Sequence, residues 1–214
     1  MVPFKPAQLL VAILLVAPSS APAAAASNLP RLSASDEATV RAAAAYLGGL
    51  TSVRAHFVQT GARGTTSQGE FYLQRPGKAR FDYAPPSGLT IASNGQVVSV
   101  LDTRLNSFQS YPLGMTPLSL FLSKEVRLDR GVEVTSVTAS SDGFSITARD
   151  GRRRSDGQIA LYFQRAPLTL LGWTITDAQG ASTRVRLTDL SAAGPFDRHL
   201  FTLRPPRPSP DQLR

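Results

Sequence analysis

The sequence predicts a mainly antiparallel β domain, led by one amphipathic helix and interrupted by one short apolar helix. Three observations carry this. Apolar residues first recur at helical spacing, the period then changes to two and stays there toward the C-terminus, and Gly, Pro, Asn and Asp punctuate the alternating runs.

The leading helix is expected from about Asp36. Val40, Ala43, Ala44 and Leu47 fall on one face, Ser33 or Ser35 can cap its start, and Asp36 and Glu37 favour its positive end. Gly48 and Gly49 stand where a left-handed residue commonly ends a helix. Alternating runs follow at Val53 to Phe57, Glu70 to Gln74, Arg80 to Tyr83, Gln96 to Asp102, Val132 to Ala139, Phe144 to Arg149, Ile159 to Phe163, Leu170 to Asp177 and Thr183 to Leu190. Asn94-Gly95, Asp142-Gly143, Asp150-Gly151 and Gln179-Gly180 are expected to supply the positive φ of tight hairpin turns. The segment Met115 to Ser123 reads as the inserted helix, with Thr116 as cap, Pro117 at the first helical position and Leu118, Phe121 and Leu122 on one face. The C-terminal RPPRPSPDQLR is too rich in proline to continue a strand and is expected to lie extended on the surface.

At the N-terminus, Lys5 precedes an apolar run of nine residues, Leu9 to Ala17, and then the small-residue stretch PSSAPAAAAS. This is the pattern of a secretory signal peptide. The run is short of the roughly 20 residues a helix needs to span a bilayer. Residues 1–26 are therefore expected to be removed; 214 less 26 leaves 188 residues, 27–214, as a single domain. The chain has no cysteine, which removes disulfides, thiolate metal sites, a cysteine nucleophile and the residue on which a lipoprotein is acylated. The formal charge of +8 suits an anionic lipid or acidic protein surface, and equally a basic surface that only keeps the protein dispersed. Export argues against a nucleic-acid partner.

The sequence contains no GxSxG, HExxH, Walker or dinucleotide glycine motif, and no EF-hand loop. His56 and His199 are far apart and have no second ligand at metal spacing, so both read as ordinary strand or surface residues, with no metal or cofactor expected. A carboxylate pair could be assembled only from acids in separate strands, such as Asp82, Asp102 or Glu133, which leaves a small periplasmic hydrolase as a distant alternative. The basic run Arg149 to Arg154 reads either as a solvated hairpin tip or as a docking patch.

Several strings in one order resemble the LolA family of periplasmic lipoprotein carriers. They are SVRAHFVQ (Ser52 to Gln59), GEFYLQRP (Gly69 to Pro76), RFDYAPPSGLTIASNGQVVSVLD (Arg80 to Asp102), TPLSLFL (Thr116 to Leu122) and FTLRPP (Phe201 to Pro206). The resemblance implies a curved, incomplete antiparallel β-barrel covered by the N-terminal helix and a short lid helix. It implies a non-enzymatic, monomeric carrier that binds acylated lipoproteins in an apolar cavity. An inner-membrane ABC transporter would load it, and an outer-membrane acceptor would receive the cargo. Phe57, Phe71, Leu73, Leu118, Phe121 and Leu122 are then expected to line the cavity, and Arg75 to hold the lid through its carbonyls. A lipid-sensing regulatory module is the alternative use of such a fold. The pattern of the residues alone leaves a ligand cavity and a filled core equally open.

Secretion into the periplasm should yield a detergent-free soluble protein beginning at or within a few residues of Ser27. Intact mass checks this, and retention of Met1 to Ala17 in a membrane-bound product would overturn it.

Overall fold

A computed structural model describes residues 32–116, 118–122, 132–151 and 157–206. Helix α1 (Ala34–Gly49) is capped by Ser33, whose hydroxyl accepts from the Asp36 amide at 3.1 Å, and it buries Val40, Ala43 and Leu47. Gly48 and Gly49 fall inside its last turn, and neither adopts a positive φ. The helix instead ends on Leu50, whose amide donates to the Leu47 carbonyl at 3.2 Å.

Eleven strands follow: β1 (Ser52–Thr60), β2 (Thr66–Gln74), β3 (Lys78–Tyr83), β4 (Leu89–Asn94), β5 (Val97–Asp102), β6 (Ser107–Pro112), β7 (Val132–Ala139), β8 (Gly143–Asp150), β9 (Gln158–Gln164), β10 (Thr169–Thr176) and β11 (Ser182–Ala192). They form one antiparallel sheet in the order β6-β5-β4-β3-β2-β1-β11-β10-β9-β8-β7. All nine alternating runs coincide with strands, which leave out only Gln96 before β5 and Asp177 after β10. The two further strands, β4 and β6, escape a period-two reading for different reasons. Ile91, Ala92 and Ser93 are consecutive and all buried, so β4 is covered on both faces and does not alternate. The other, β6, is a polar edge strand.

The sheet is open, since β6 and β7 are its two edges, and it curls strongly. Flat strands at about 4.8 Å spacing would hold β3 and β10, four places apart, about 19 Å from each other. Yet the rings of Phe81 and Trp173 are 6.1 Å apart, and those of Phe71 and Trp173 5.8 Å. Register shifts in β1, β7 and the β9–β10 pair are the local bends that permit this. Gly172 sits at one of them with φ +145, where a Cβ would lie 2.1 Å from the Val185 carbonyl oxygen. Gly143 departs from expectation: it has no positive φ, and glycine is required because a Cβ would lie 2.0 Å from the Phe163 carbonyl oxygen. Gly95 and Gly180 do take the positive φ expected of turns.

The chain leaves the sheet at one edge, β6, and re-enters at the opposite edge, β7. Helix α2 (Leu118–Leu122), after a 3-10 turn at Leu113–Met115, is the described part of that connection; Pro117 and Ser123 of the expected Met115 to Ser123 helix lie outside the described residues, and Met115 belongs to the 3-10 turn. After β11 the chain runs over the outer face. A second 3-10 turn (Arg198–Phe201) buries Phe201, and Arg80 Nη1 donates to the Leu200 carbonyl at 2.7 Å. This covering accounts for the burial of Ala92. Residues 207–214 of the proline-rich tail and Arg152 to Arg154 of the basic run lie outside the described residues, while Arg149 is engaged by Glu133 at 3.0 Å.

Phe201 is 1% exposed, and its replacement by Ala should cost about 3–5 kcal/mol of stability. Chemical denaturation checks this; a loss under about 1 kcal/mol would mean that the outer-face strap carries little of the fold.

Candidate functional site

Arg75 follows β2 directly, and its amide donates to the Thr51 carbonyl at 2.8 Å, which places its side chain between two helix ends. The last carbonyls of an α-helix have no intrahelical donor and carry the negative end of its dipole. No basic residue lies in the last turn of α1. Arg75 takes that part: Nε donates to the carbonyl oxygens of Leu47 at 3.0 Å and Leu50 at 3.1 Å. Its Nη1 donates to the Phe121 carbonyl in α2 at 2.7 Å. The guanidinium also lies over the Phe121 ring, 5.3 Å from its centroid. A planar fork with five donors can serve acceptors in two directions, which a lysine ammonium does less well.

The turn around Arg75 makes a second tie. Gly77 donates its amide to the Leu122 carbonyl at 2.8 Å, so consecutive carbonyls of α2 are held by residues two apart. Gly77 has φ +74, and a Cβ there would lie 2.6 Å from Gly95 Cα in the neighbouring turn. The buried Ser93 hydroxyl fixes this packing by donating to the Gly77 carbonyl at 2.6 Å.

Under these ties lies a continuous row of rings. Phe121 meets Trp173 at 5.4 Å, Trp173 meets Phe71 and Phe81, Phe57 meets Phe81 at 5.4 Å, and Phe57 meets Tyr83 at 4.9 Å. Phe57, Phe71, Leu73, Phe121 and Leu122 are buried in one core with Val40, Ala43 and Leu47 of α1, while Leu118 packs against it half-buried. The structure thus brings together all seven residues singled out from the sequence, around a face lined by these packed rings. It adds Trp173, Phe81 and Tyr83, which strand alternation alone places on the inner face but which no motif marks.

Burial lowers the Arg75 guanidinium to about 10, so it remains a cation at neutral pH. The folded value lies below the free one. The closed arrangement therefore bears a desolvation penalty below about pH 10 that is relieved only as pH rises through that value. Burial also pushes the Tyr83 phenol upward, well clear of the physiological range. The acids weighed for catalysis are engaged separately: Asp82 with Arg80, Glu133 with Arg149, and Asp102 with the amides of Arg104 and Leu105 in the β5–β6 turn. His56 pairs across strands with Glu70 on the exposed side. Among the described residues no three His, Cys, Asp or Glu side chains form a metal-sized cluster, and no helix is long and apolar enough to cross a membrane.

A curled, open sheet whose crossover helix is pinned over a ring-lined face defines a lidded half-barrel. The outer membrane lipoprotein carrier protein LolA family model matches residues 48–204, and the chain belongs to that family. It is 28% identical over 170 residues to an outer-membrane lipoprotein carrier protein of Methylococcus capsulatus, covering 75% of this chain and 81% of that one. It is 30% identical over 169 residues to a protein of the same name from Methylibium petroleiphilum, covering 73% and 81%. A solved LolA superfamily protein from Nitrosomonas europaea superposes with a TM-score of 0.45 at 9% identity, covering 77% of this chain and 97% of that one.

Trp173 is the sole tryptophan and packs on Phe121, so its fluorescence reports on α2. Between about pH 6 and 9 its emission should hold constant, because Arg75 stays charged throughout. A red shift inside that window would show that α2 is released by some other titrating group.

Proposed function

We propose that this protein carries lipoproteins by their acyl chains through the periplasm, from an inner-membrane ABC transporter to an outer-membrane acceptor, after loss of residues 1–26. The reading makes it a monomeric chaperone and not an enzyme. Membership of the LolA family supports it, and the observation that carries it is the Arg75 tie between α1 and α2 over a ring-lined face.

A carrier has to release its cargo as well as hold it. Phe121 of α2 packs on Trp173 over the ring row, so an acyl chain reaches that row by lifting α2 and parting Phe121 from Trp173. Lifting α2 breaks the bond to the Phe121 carbonyl, at about 1.5–3 kcal/mol for a charged donor, and that to Leu122, at about 0.5–1.5 kcal/mol. It also returns a partly desolvated guanidinium toward water, which offsets some of this cost. Burying ten methylenes contributes roughly 8 kcal/mol, enough to drive opening, while the broken bonds favour unloading at the acceptor. Two states a few kcal/mol apart are what a shuttle requires.

Arg75→Leu removes the tie and adds apolar surface, so ligand-bound protein should accumulate while transfer to acceptor membranes falls; Arg75→Lys should lie between. Lipid extraction with mass spectrometry, alongside a transfer assay, checks both, and unloading of Arg75→Leu at the native rate would remove the role given to Arg75. Leu118→Ala and Phe121→Ala separate a lid from a fixed core: acyl-probe affinity should fall by more than stability does. Loss of a few kcal/mol of stability with unchanged affinity would make α2 part of a static core.

A further inference from the structure

The inner face of the sheet is apolar along the ring row and polar at its far end. Of the buried polar side chains, Ser93 serves the Gly77 turn, Ser99 pairs with Ser110, and Asp102 holds the β5–β6 turn. Gln59 has no such structural duty. It is 7% exposed and faces inward two residues beyond Phe57, and its Oε1 accepts from the Tyr83 hydroxyl at 2.7 Å. Its amide nitrogen makes no hydrogen bond to another described residue, so the two donors of this primary amide stay available to a ligand.

The position of the pair is as informative as its chemistry. Gly69 lies between Phe57 and Tyr83 in register, and having no side chain it lets those two rings meet at 4.9 Å across β2. The row that starts under Arg75 and Phe121 therefore ends on Tyr83 and Gln59. Ser52, at the other end of β1, adjoins Thr51, whose carbonyl receives the Arg75 amide. Seven residues of strand separate Ser52 from Gln59, about 23 Å. The residue after Gln59, Thr60, borders an open groove of about 630 Å³ between the β1–β2 and β10–β11 turns, shared with Gly61, Gln179, Gly180 and Arg184. The apolar row thus runs from the tied lid to a polar pair at the margin of solvent.

We infer that Gln59 and Tyr83 form the polar end of the ligand site and bind the carbonyl oxygen of an acyl ester or amide, leaving the hydrocarbon to lie along the ring row toward Arg75. This rests on the carrier reading and deepens it: the pair selects acyl chains over plain hydrocarbon. The donor is the Gln59 amide, and Tyr83 holds it in place by occupying Oε1. The buried phenol stays protonated and keeps donating across the physiological range.

The test compares a long-chain acyl methyl ester with the alkyl methyl ether of the same length, both titrated against the full-length mature protein with Trp173 fluorescence as readout. Native protein should bind the ester about tenfold more tightly. The double variant Gln59→Met/Tyr83→Phe removes both polar groups together and leaves no stranded partner, so it should stay folded by thermal unfolding. Its preference for the ester over the ether should be gone, read as the ratio of the two affinities. Native protein that binds ester and ether equally, or a folded double variant that keeps the preference, overturns the assignment while leaving the carrier reading intact. Failure of the native protein to bind either probe overturns both. An equal fall in affinity for both probes would show that the pair only shapes the apolar wall, and would also overturn the assignment.

Discussion

Carbonyl oxygens at the ends of two helices meet at one guanidinium. Arg75 donates to Leu47 and Leu50 at the end of α1 and to Phe121 in α2. It helps to place α2, and it adds a second donor to the Leu47 carbonyl, which already accepts the Leu50 amide where Gly48 and Gly49 do not make a left-handed turn. The same ion that completes the fold is partly stripped of water in doing so. Its hydrogen bonds and its desolvation oppose each other, so the closed state is held without being held tightly.

The need for a lid follows from topology. A meander that spreads outward from β1 to β6 and then inward from β7 to β11 must cross from one edge of the sheet to the other. In a sheet curled enough for β3 and β10 to share ring contacts, that crossing passes over the concave side. Whatever sequence occupies the crossing becomes a cover. Leu118, Phe121 and Leu122 make it an apolar one, and the Arg75 and Gly77 donors fix where it rests.

Much of this was legible in the sequence, to different depths. Period-two alternation found nine strands, most plainly where one face meets the core and the other water, as in β1 and β9. It passed over β4, which the strap carrying Phe201 helps to bury on its second face, and β6, whose edge position leaves it polar. The Ser33 cap was readable because capping is local. Gly143 was read as a turn residue, whereas the neighbouring strand's carbonyl is what forbids a side chain, a constraint that only appears once strands are paired. Arg75 as a lid holder came from family resemblance. Its bonds to the end of α1 could not have been read from spacing, since Leu47 and Leu50 are 28 and 25 residues away. Trp173, Phe81 and Tyr83 carried the right alternation but no signal to distinguish a ring at the centre of the site from any other core residue.

In the proposed carrier, the rings of the inner face already pack on one another and on α2, so loading beneath α2 would be an exchange of contacts. Phe121 and Leu122, buried at 4% and 1% exposure, must give up their contacts with Trp173 and the core for the cargo to replace them. Burial of a Leu or Phe side chain contributes about 1.5–3 kcal/mol, so exposing the lid residues cancels a sizeable part of what the acyl chain gains. A rigid, preformed apolar cavity would return the full gain as affinity and would release its ligand slowly. In the proposed carrier, rings that pack on a helix tied by one partly desolvated cation would lower the net affinity without surrendering apolar selectivity. Reversibility would then rest on competition between the protein's own rings and the cargo for the same surface, with the Arg75 bonds opposing opening.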